Sequence, residues 1–187
     1  MILRLLRFNI YLLLAAGLSL VSGCKSSKEK EEAKEASSLS LFIETEFDTT
    51  GTKTAVVPVF RASPILVRIS KEPVLDEGHI EDARVIDTVG GFAIQVKYDF
   101  RGTLTLDSLT STHRGRRLVI YSMFTEGRWL AAPKITTSIK DGTLIFTPDS
   151  TREEAERIVR GLNNVAIKLG NKEKEKPGKK KKAEEEL

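Results

Sequence analysis

The sequence predicts an α+β fold for the central part of this 187-residue chain, with an antiparallel sheet and two or three helices packed on it in a single domain. Several short segments alternate apolar and polar residues, a period typical of half-buried strands. One later segment instead repeats apolar residues at helical spacing. We predict several antiparallel strands, one amphipathic helix and one or two shorter helices, a combination that is typical of an α+β domain. Residues 39–169 are numerous enough to form one hydrophobic core.

The chain begins with the features of a secretory signal, which we assign to residues 1–23. Arg4 and Arg7 precede a mostly apolar run at residues 8–21, and small residues come directly before Cys24. This order of positive charge, short apolar core and small residues is typical of a cleaved leader. The apolar run has 14 residues, fewer than the roughly 20 that a helix needs to span a bilayer. The four residues that end at Cys24 resemble a bacterial lipobox.

Cys24 is the single cysteine of the chain, and we expect it to be the site of lipid attachment. A thiolate is nucleophilic enough to accept a diacylglyceryl group as a thioether, and two or more acyl chains anchor a protein stably. The alternatives are a conventional cleaved signal with an unrelated cysteine, or an uncleaved anchor helix. Lipidation predicts a membrane partner and a location in the cell envelope, facing the periplasm. Lys25, in place of an aspartate after the cysteine, favours the outer over the inner membrane.

The net charge of +4 comes from the ends of the chain. Residues 25–38, most of a predicted charged tether at 24–38, hold four lysines and four glutamates. Residues 170–187, a predicted disordered tail, hold seven lysines and five glutamates. This tail either remains solvated or contacts anionic lipid headgroups through its lysines. Residues 39–169 carry 17 basic and 17 acidic residues. Because a balanced domain has no long-range field that attracts phosphates, nucleic acid is not an expected partner.

The first half of the domain is predicted to contain three strands. Residues 39–47 alternate in period two, a turn follows at residues 49–52, and residues 56–60 and 65–69 are two further β-rich runs. Pro58 lacks a backbone N–H, so it confines the second strand to a sheet edge or a bulge.

The middle of the domain predicts a short helix followed by a strand. Asp76 has the chemistry of a helix cap, and the spacing of Ile80 and Ala83 favours a helix at residues 76–83. A Gly-Gly turn at 90–91 then leads into a strand at residues 92–98, where apolar and polar residues alternate.

The next stretch predicts two strands after an ambiguous segment. Residues 103–113 have strand propensity in their Thr-Leu repeats but helical spacing in their leucines, so both readings remain open. Residues 118–124 form a strand, and residues 129–135 form another that Pro133 interrupts.

The end of the domain predicts a hairpin and the best-defined helix. Asp141-Gly142 is a strong hairpin signal, expected to pair residues 137–139 with residues 143–146. Ser150 and Glu153 have the spacing of a capping box. The helix after Pro148 is expected to end at Asn163-Asn164, with residues 165–169 returning to the sheet, and its apolar stripe is Ala155, Ile158, Val159 and Leu162.

Residues that carry chemistry are few, and the sequence predicts neither catalysis, nor a metal, nor a cofactor. His79 and His113 are far apart in sequence and have no second ligand at metal spacing. The acidic cluster around His79 lacks the alternating pattern of a calcium loop; it consists of Asp76, Glu77, Glu81 and Asp82. The basic cluster of Arg114, Arg116 and Arg117 fits a solvated loop better than a binding site. Trp129 fits a core position better than a ligand-stacking one.

A series of structural motifs runs through residues 73–163. They are Pro73-Val74-Leu75 with Ala83; Gly91-Phe92-Ala93-Ile94-Gln95-Val96; Tyr98 to Gly102; Leu109-Thr110; Gly115 to Ile120; Ala132-Pro133 with Ile135; Ile139 to Gly142; and Thr151, Glu153-Glu154-Ala155 and Leu162. Their order resembles the periplasmic head subdomain of SecD/SecDF protein-translocation subunits. The resemblance implies a helix at residues 102–112 and a domain that contacts unfolded or exported polypeptide.

The function expected from these observations is that of a lipid-anchored, non-enzymatic envelope protein that binds polypeptide, as an accessory to protein export or envelope assembly. The exposed strand at residues 56–60, or a groove beside Trp129, would take an extended peptide by strand addition. The alternatives are a small-ligand carrier or hydrolase with a dispersed site, and a purely structural envelope lipoprotein.

Overall fold

The computed structural model describes residues 31–32, 34–46 and 52–173. Within these ranges, eight strands and two helices form an α+β fold, as the sequence predicts. The predicted signal, Cys24, residues 47–51 around the predicted turn and residues 174–187 of the predicted tail lie outside the described residues. No helix in the described part of the chain is long and apolar enough to cross a membrane.

The strands divide into three antiparallel sheets. The first sheet has the order β1-β6-β7, the second is the hairpin β2-β3, and the third has the order β4-β5-β8. The bounds are β1 (Ser38–Ile43), β2 (Thr54–Val59), β3 (Ile65–Ser70), β4 (Ile80–Thr88), β5 (Gly91–Tyr98), β6 (Leu118–Met123), β7 (Gly127–Ala131) and β8 (Thr143–Phe146).

The main core lies between the two three-stranded sheets and the helices. In β1, residues at alternate positions are buried, as the period-two pattern requires. In β5, Ile94, Val96 and Tyr98 are buried in the same core. A second, smaller cluster lies under the β2-β3 hairpin and includes Val57, Val59, Val67, Ile69, Val119 and Ala132.

Two helices cover this core. Helix α1 (Phe100–Thr112) confirms the helix that the resemblance implied. Its cap is Asp99, whose side chain accepts a hydrogen bond from the backbone of Gly102. Helix α2 (Arg152–Leu169) buries the predicted stripe, including Ile158 and Leu162.

The predicted helix at residues 76–83 is wrong. The structure has a 3-10 turn, Glu77–His79, followed by strand β4. A β-bulge shifts the register between Ile80 and Asp82, so that Ile80 and Ala83 both face the core although they are three residues apart. The bulge therefore produces a spacing that imitates a helix.

The prediction that residues 137–139 pair with β8 is also wrong. The turn at Asp141 forms, with Gly142 in the left-handed region and the Asp141 side chain accepting a hydrogen bond from the backbone of Thr143. Strand β8 pairs with β5, whereas residues 137–139 form no strand. The backbone of Ile139 instead donates a hydrogen bond to the hydroxyl of Thr110 on α1.

Helix α2 differs from its prediction at both ends. The capping box is one residue later than expected and consists of Thr151 and Glu154. The helix continues past Asn163 to Leu169 and ends at Gly170, which has a positive φ of 82°. Residues 165–169 are therefore helical and do not return to the sheet.

Asn163 explains why the helix does not stop at the Asn-Asn pair. Its side-chain amide donates to the carbonyl of Ala83 at 2.8 Å and accepts from the N–H of Ala83 at 3.1 Å. This pair of hydrogen bonds occupies the outer edge of β4 in the way that a neighbouring strand would. A residue type that favours helix ends is used here to join α2 to a sheet.

The segment before β1 packs against the middle of α2. Ser37 is buried, and a Cβ placed on Gly161 would lie 2.7 Å from the backbone nitrogen of Ser37. Glu35 forms an ion pair with Arg160 at 3.2 Å. The close approach of the two backbones requires glycine at position 161.

We expect Gly161→Ala to lower the free energy of unfolding by about 1–2 kcal/mol, because the steric cost exceeds the helix propensity that alanine adds. Urea unfolding followed by circular dichroism measures the change. Glu156→Ala, at an exposed position of the same helix, is the control and should have little effect. An increase in stability for Gly161→Ala would show that the segment at Ser37 does not constrain the helix.

Candidate peptide-binding groove

A groove of about 470 Å³ lies where strands β7 and β8 end. We call it the Phe60 groove. Its buried apolar lining consists of Ala131, Ala132, Phe146 and Pro148, and Thr147 is exposed beside them. The remaining lining residues are Phe60, Pro133 and Asp149.

The groove lies at a seam between two sheets. Strand β7 is the edge of the first sheet and β8 is the edge of the third. At this seam the backbone N–H of Asp149 donates to the carbonyl of Leu130 at 2.7 Å. In the described part of the chain, no strand pairs with the outer side of β8.

The register of β8 shows which backbone groups remain on its outer side. Tyr98 N–H donates to the carbonyl of Gly142, and the ladder then pairs Val96 with Leu144 and Ile94 with Phe146. Because hydrogen-bonded positions alternate along an antiparallel strand, the N–H and C=O of Ile145 point away from β5. Strand β8 therefore presents the outer edge that an added strand requires.

Phe60 adopts an unusual backbone conformation at one wall of the groove. Its φ is 71°, in the left-handed region that an aromatic residue rarely occupies, and it is the one such non-glycine residue in the described ranges. The backbone N–H of the next residue, Arg61, donates to the carboxylate of Asp149 at 2.6 Å. This hydrogen bond across 88 residues helps to hold Phe60 against the groove.

A network of charges lies behind the Asp149 side of the groove. Arg128 of β7 forms two hydrogen bonds, each of 3.0 Å, with the carboxylate of Glu154 at the start of α2. Arg61 lies 3.7 Å from the same carboxylate. The side chain of Arg128 is only 10% exposed, so its pairing with Glu154 is largely protected from solvent.

The network shifts two pKa values. The hydrogen bonds from Arg128, reinforced by the backbone N–H of Thr151, lower the pKa of Glu154 from 4.5 to about 2, although partial burial opposes the change. The same contact with Glu154 raises the pKa of Arg128. The carboxylate and the guanidinium are therefore both charged at neutral pH.

The structure places the other predicted positions away from this groove or in structural roles. Trp129 is half-buried and packs against Tyr121 and Phe42, with ring centroids 4.8 and 5.3 Å away. This packing confirms a core role for the tryptophan. Strand β2 is an edge strand, as Pro58 predicted. Phe60, the residue that directly follows this strand, lines the groove.

The histidines and five members of the charged clusters have ordinary partners. His79 lies 3.2 Å from the carboxylate of Asp99, and the ring of His113 lies 3.0 Å from the carbonyl of Leu109. No group of three or more metal-ligating side chains occurs among the described residues. In the acidic cluster, Asp76 caps the 3-10 turn and Glu81 pairs with Lys97. Asp82 of the same cluster contacts Arg84 and Lys172. In the basic cluster, Arg116 pairs with Glu46, and Arg117 donates a hydrogen bond to the carbonyl of Ala132.

Sequence reasoning missed the groove residues that come from distant positions. Phe60, Ala132 and Asp149 come from three distant parts of the sequence, and their proximity follows from the sheet topology.

Comparison with solved structures finds this fold in SecDF. One match is to a structure of the membrane component SecDF that enhances protein export, with a TM-score of 0.52 and 18% identity over 77% of this chain and 70% of that chain. A second is to SecDF in a super-membrane-facing form, with a TM-score of 0.53 and 18% identity. It covers 77% of this chain and 21% of that one, so this chain spans about a fifth of that protein.

No protein-family model matches the sequence, and no curated protein matches it. At 18% identity, the structural likeness shows the fold. The fold is therefore an α+β fold like the one found in SecDF, as the motifs in residues 73–163 predicted.

We expect Glu154→Gln to destabilise the protein at neutral pH by about 2 kcal/mol, after allowance for the solvent exposure of the carboxylate. The folded-state pKa of Glu154 is depressed, so its contribution is complete above pH 4.5 and is lost as the pH falls toward 2. The difference between the wild type and the variant should therefore shrink through this range. Chemical unfolding at a series of pH values measures it.

Glu156→Gln is the matched control for this prediction, because Glu156 lies in the same helix and is exposed. It should leave stability nearly unchanged at all these pH values. A constant difference between the wild type and Glu154→Gln from pH 7 to pH 3 would contradict the assigned ion pair.

Proposed function

We propose that this protein is a lipid-anchored, non-enzymatic component of the bacterial cell envelope that binds exported polypeptide in an extended conformation at the Phe60 groove. The observation that carries the proposal is the outer edge of β8, which pairs with no strand among the residues that the structure describes, together with the apolar groove where this strand ends. Strand addition uses both features, because main-chain hydrogen bonds provide affinity and a groove accepts side chains.

The groove suits an extended peptide better than a compact ligand. Its walls come from the ends of two edge strands, and exposed Thr147 lies among its lining residues. The four residues of β8 are about 13 Å long at the usual rise of a strand. A peptide along this edge would bond to Ile145 and direct alternate side chains toward Phe146 and Ala132.

The fold supports the choice of exported polypeptide as the partner. SecDF is described as a membrane component that enhances protein export. A chain with a SecDF-like fold and a segment that resembles a lipobox at Cys24 would meet such polypeptides on the periplasmic side of the membrane. On this proposal, the domain is an accessory to protein export or envelope assembly.

We expect Ile145→Pro to weaken the binding of an unfolded, carboxymethylated secretory protein about tenfold or more. Proline removes the outward N–H of β8, and its ring obstructs a strand on that side, while no hydrogen bond to β5 is lost. Fluorescence anisotropy with the labelled secretory protein measures the affinity. Thermal unfolding of each variant shows whether the domain has remained folded.

Ile145→Val is the matched control, because valine keeps the backbone N–H and the strand propensity. It should bind the unfolded protein like the wild type. Equal affinity for folded Ile145→Pro and Ile145→Val would exclude strand addition at β8. Binding of a small metabolite, displaced by neither polypeptide nor peptide, would instead favour the ligand-carrier alternative.

The proposed anchor makes a separate prediction. The mature polypeptide should begin at Cys24 and carry a diacylglyceryl group, and Cys24→Ser should abolish the lipid and leave the leader uncleaved or the protein unanchored. Intact-mass analysis of membrane-extracted protein measures this. Ser26→Ala should have no effect, and a wild-type mass without lipid would contradict the anchor.

A further inference from the structure

The two strands that end at the Phe60 groove have edges that face each other. We call residues 130–134 the β7 edge and residues 145–149 the β8 edge. The backbone N–H of Asp149 on the β8 edge donates to the carbonyl of Leu130 on the β7 edge at 2.7 Å. In the described part of the chain, no ladder continues from this bond. The two edges are therefore connected at one end.

Two further pairs of residues face each other along these edges. In antiparallel order from the bond, Ala132 comes opposite Thr147, and both line the Phe60 groove. Lys134 then comes opposite Ile145, and both line a neighbouring cavity of about 130 Å³. Pro133 borders both cavities. Because the two members of each pair border the same cavity, the edges run side by side in opposite directions.

The backbone groups of Lys134 point away from β6. On one side of this residue, the carbonyl of Pro133 accepts a hydrogen bond from the N–H of Leu118 at 2.9 Å. On the other side, the N–H of Ile135 donates to the carbonyl of Arg116 at 2.8 Å. Since inward and outward groups alternate along an antiparallel strand, the N–H and C=O of Lys134 point outward. Those of the facing residue on the β8 edge likewise point away from β5.

The side chains of the two edges have matching faces. Strand β8 buries Leu144 and Phe146 in the main core, whereas Ile145 and Thr147 are exposed. Lys134 on the facing edge is also exposed. Antiparallel pairing in the order given above would therefore keep exposed residues on the solvent side, which is the condition that fixes the register of a half-buried sheet.

The β8 edge is open to unintended pairing. An exposed strand edge is a template for other chains, and proteins block such edges with proline, with charge or with a covering segment. On the edge strand β2, Pro58 removes a backbone N–H. On β8, the N–H of Thr143 donates to the side chain of Asp141, but Ile145 is neither proline nor charged and is 52% exposed. The β7 edge is the segment of this chain that lies next to it.

We propose that the two edges form a clasp, open in the structure, whose closed form pairs Ala132 with Thr147 and Lys134 with Ile145. Closure extends the bond already present at Leu130 into a ladder and joins the two three-stranded sheets into one. The closed clasp covers the outer edge of β8, so polypeptide binds to the open form alone.

This inference rests on the proposed function, because it concerns the regulation of the same strand edge. If K is the equilibrium constant for closing, the affinity for polypeptide is lowered by the factor 1 + K. Only a chain whose pairing with β8 outcompetes the β7 edge remains bound. The clasp also keeps β8 from pairing with a second copy of the protein.

Lys134→Pro tests the clasp in the full-length protein. Proline removes the outward N–H of the β7 edge and leaves the hydrogen bonds to β6 in place, so the clasp cannot close. We expect this variant to bind the labelled, unfolded secretory protein about threefold or more tightly than Lys134→Ala does. Lys134→Ala is the matched control, because it removes the same charge and keeps the N–H. Thermal unfolding shows whether both variants are folded.

Equal affinities of the two folded variants would overturn the clasp. Weaker binding by Lys134→Pro would also overturn it, because the polypeptide would then be held by both edges together.

Amide exchange in the wild type tests the clasp without a substitution on the β7 edge. In the free protein, NMR should show the N–H of Lys134 protected by the factor 1 + K, the same factor that separates the two affinities. Saturation with the unfolded secretory protein should remove this protection. An unprotected Lys134 in the free protein, or protection that persists at saturation, would overturn the clasp.

The exchange measurement also separates this inference from the proposed function. If no variant binds unfolded polypeptide, the proposed function fails, and the free wild type is then compared with folded Ile145→Pro, whose ring blocks closure. Protection of Lys134 in the wild type that is lost in Ile145→Pro supports the clasp. The same exchange rate at Lys134 in both proteins overturns it.

Discussion

Helix α2 is fastened to both three-stranded sheets, and the rest of the structure depends on these attachments. Near its start, Glu154 forms a doubly hydrogen-bonded pair with Arg128 of β7. In its middle, the amide of Asn163 takes the place of a strand beside Ala83 of β4. Between these points, a buried apolar stripe packs into the main core. Because the two sheets share no ladder in the described part of the chain, they are joined by this helix, by the shared core and by the backbone hydrogen bond from Asp149 to Leu130.

Charge pairing explains why the groove at the seam is apolar although carboxylates lie beside it. Asp149 accepts a hydrogen bond from the backbone of Arg61, and the depressed pKa of Glu154 reflects its pairing with Arg128. These carboxylates are directed toward cations of the domain itself. The surface left for a partner consists mainly of alanine, proline and aromatic side chains, with Thr147 exposed among them and a strand edge next to them. Such a surface recognises a main chain in extended form and small or apolar side chains, with little dependence on the partner's charge.

The sequence predicts most strands because period two survives wherever one face of a sheet is buried, as in β1 and β5. It predicts α2 because the apolar stripe there is continuous. The errors have local causes: the bulge at Ile80 imitates helical spacing, and two adjacent hydroxyl residues, Ser150 and Thr151, are equally good caps until the geometry selects one. The groove is a different case. It depends on which edges remain unpaired and on the contact between Arg61 and Asp149 across 88 residues, and no local pattern contains that information.

The left-handed conformation of Phe60 links the groove to the hairpin. An aromatic residue at this φ costs on the order of 1–2 kcal/mol, so other contacts must supply the difference. Arg61 contributes through its hydrogen bond with Asp149, and the Phe60 ring packs against the second apolar cluster with Trp129. Glycine at position 60 would remove the strain and also the wall of the groove. The sequence keeps an aromatic residue where a small one would be easier to accommodate, and the physical gain from that choice is an apolar surface at the point where two sheet edges meet.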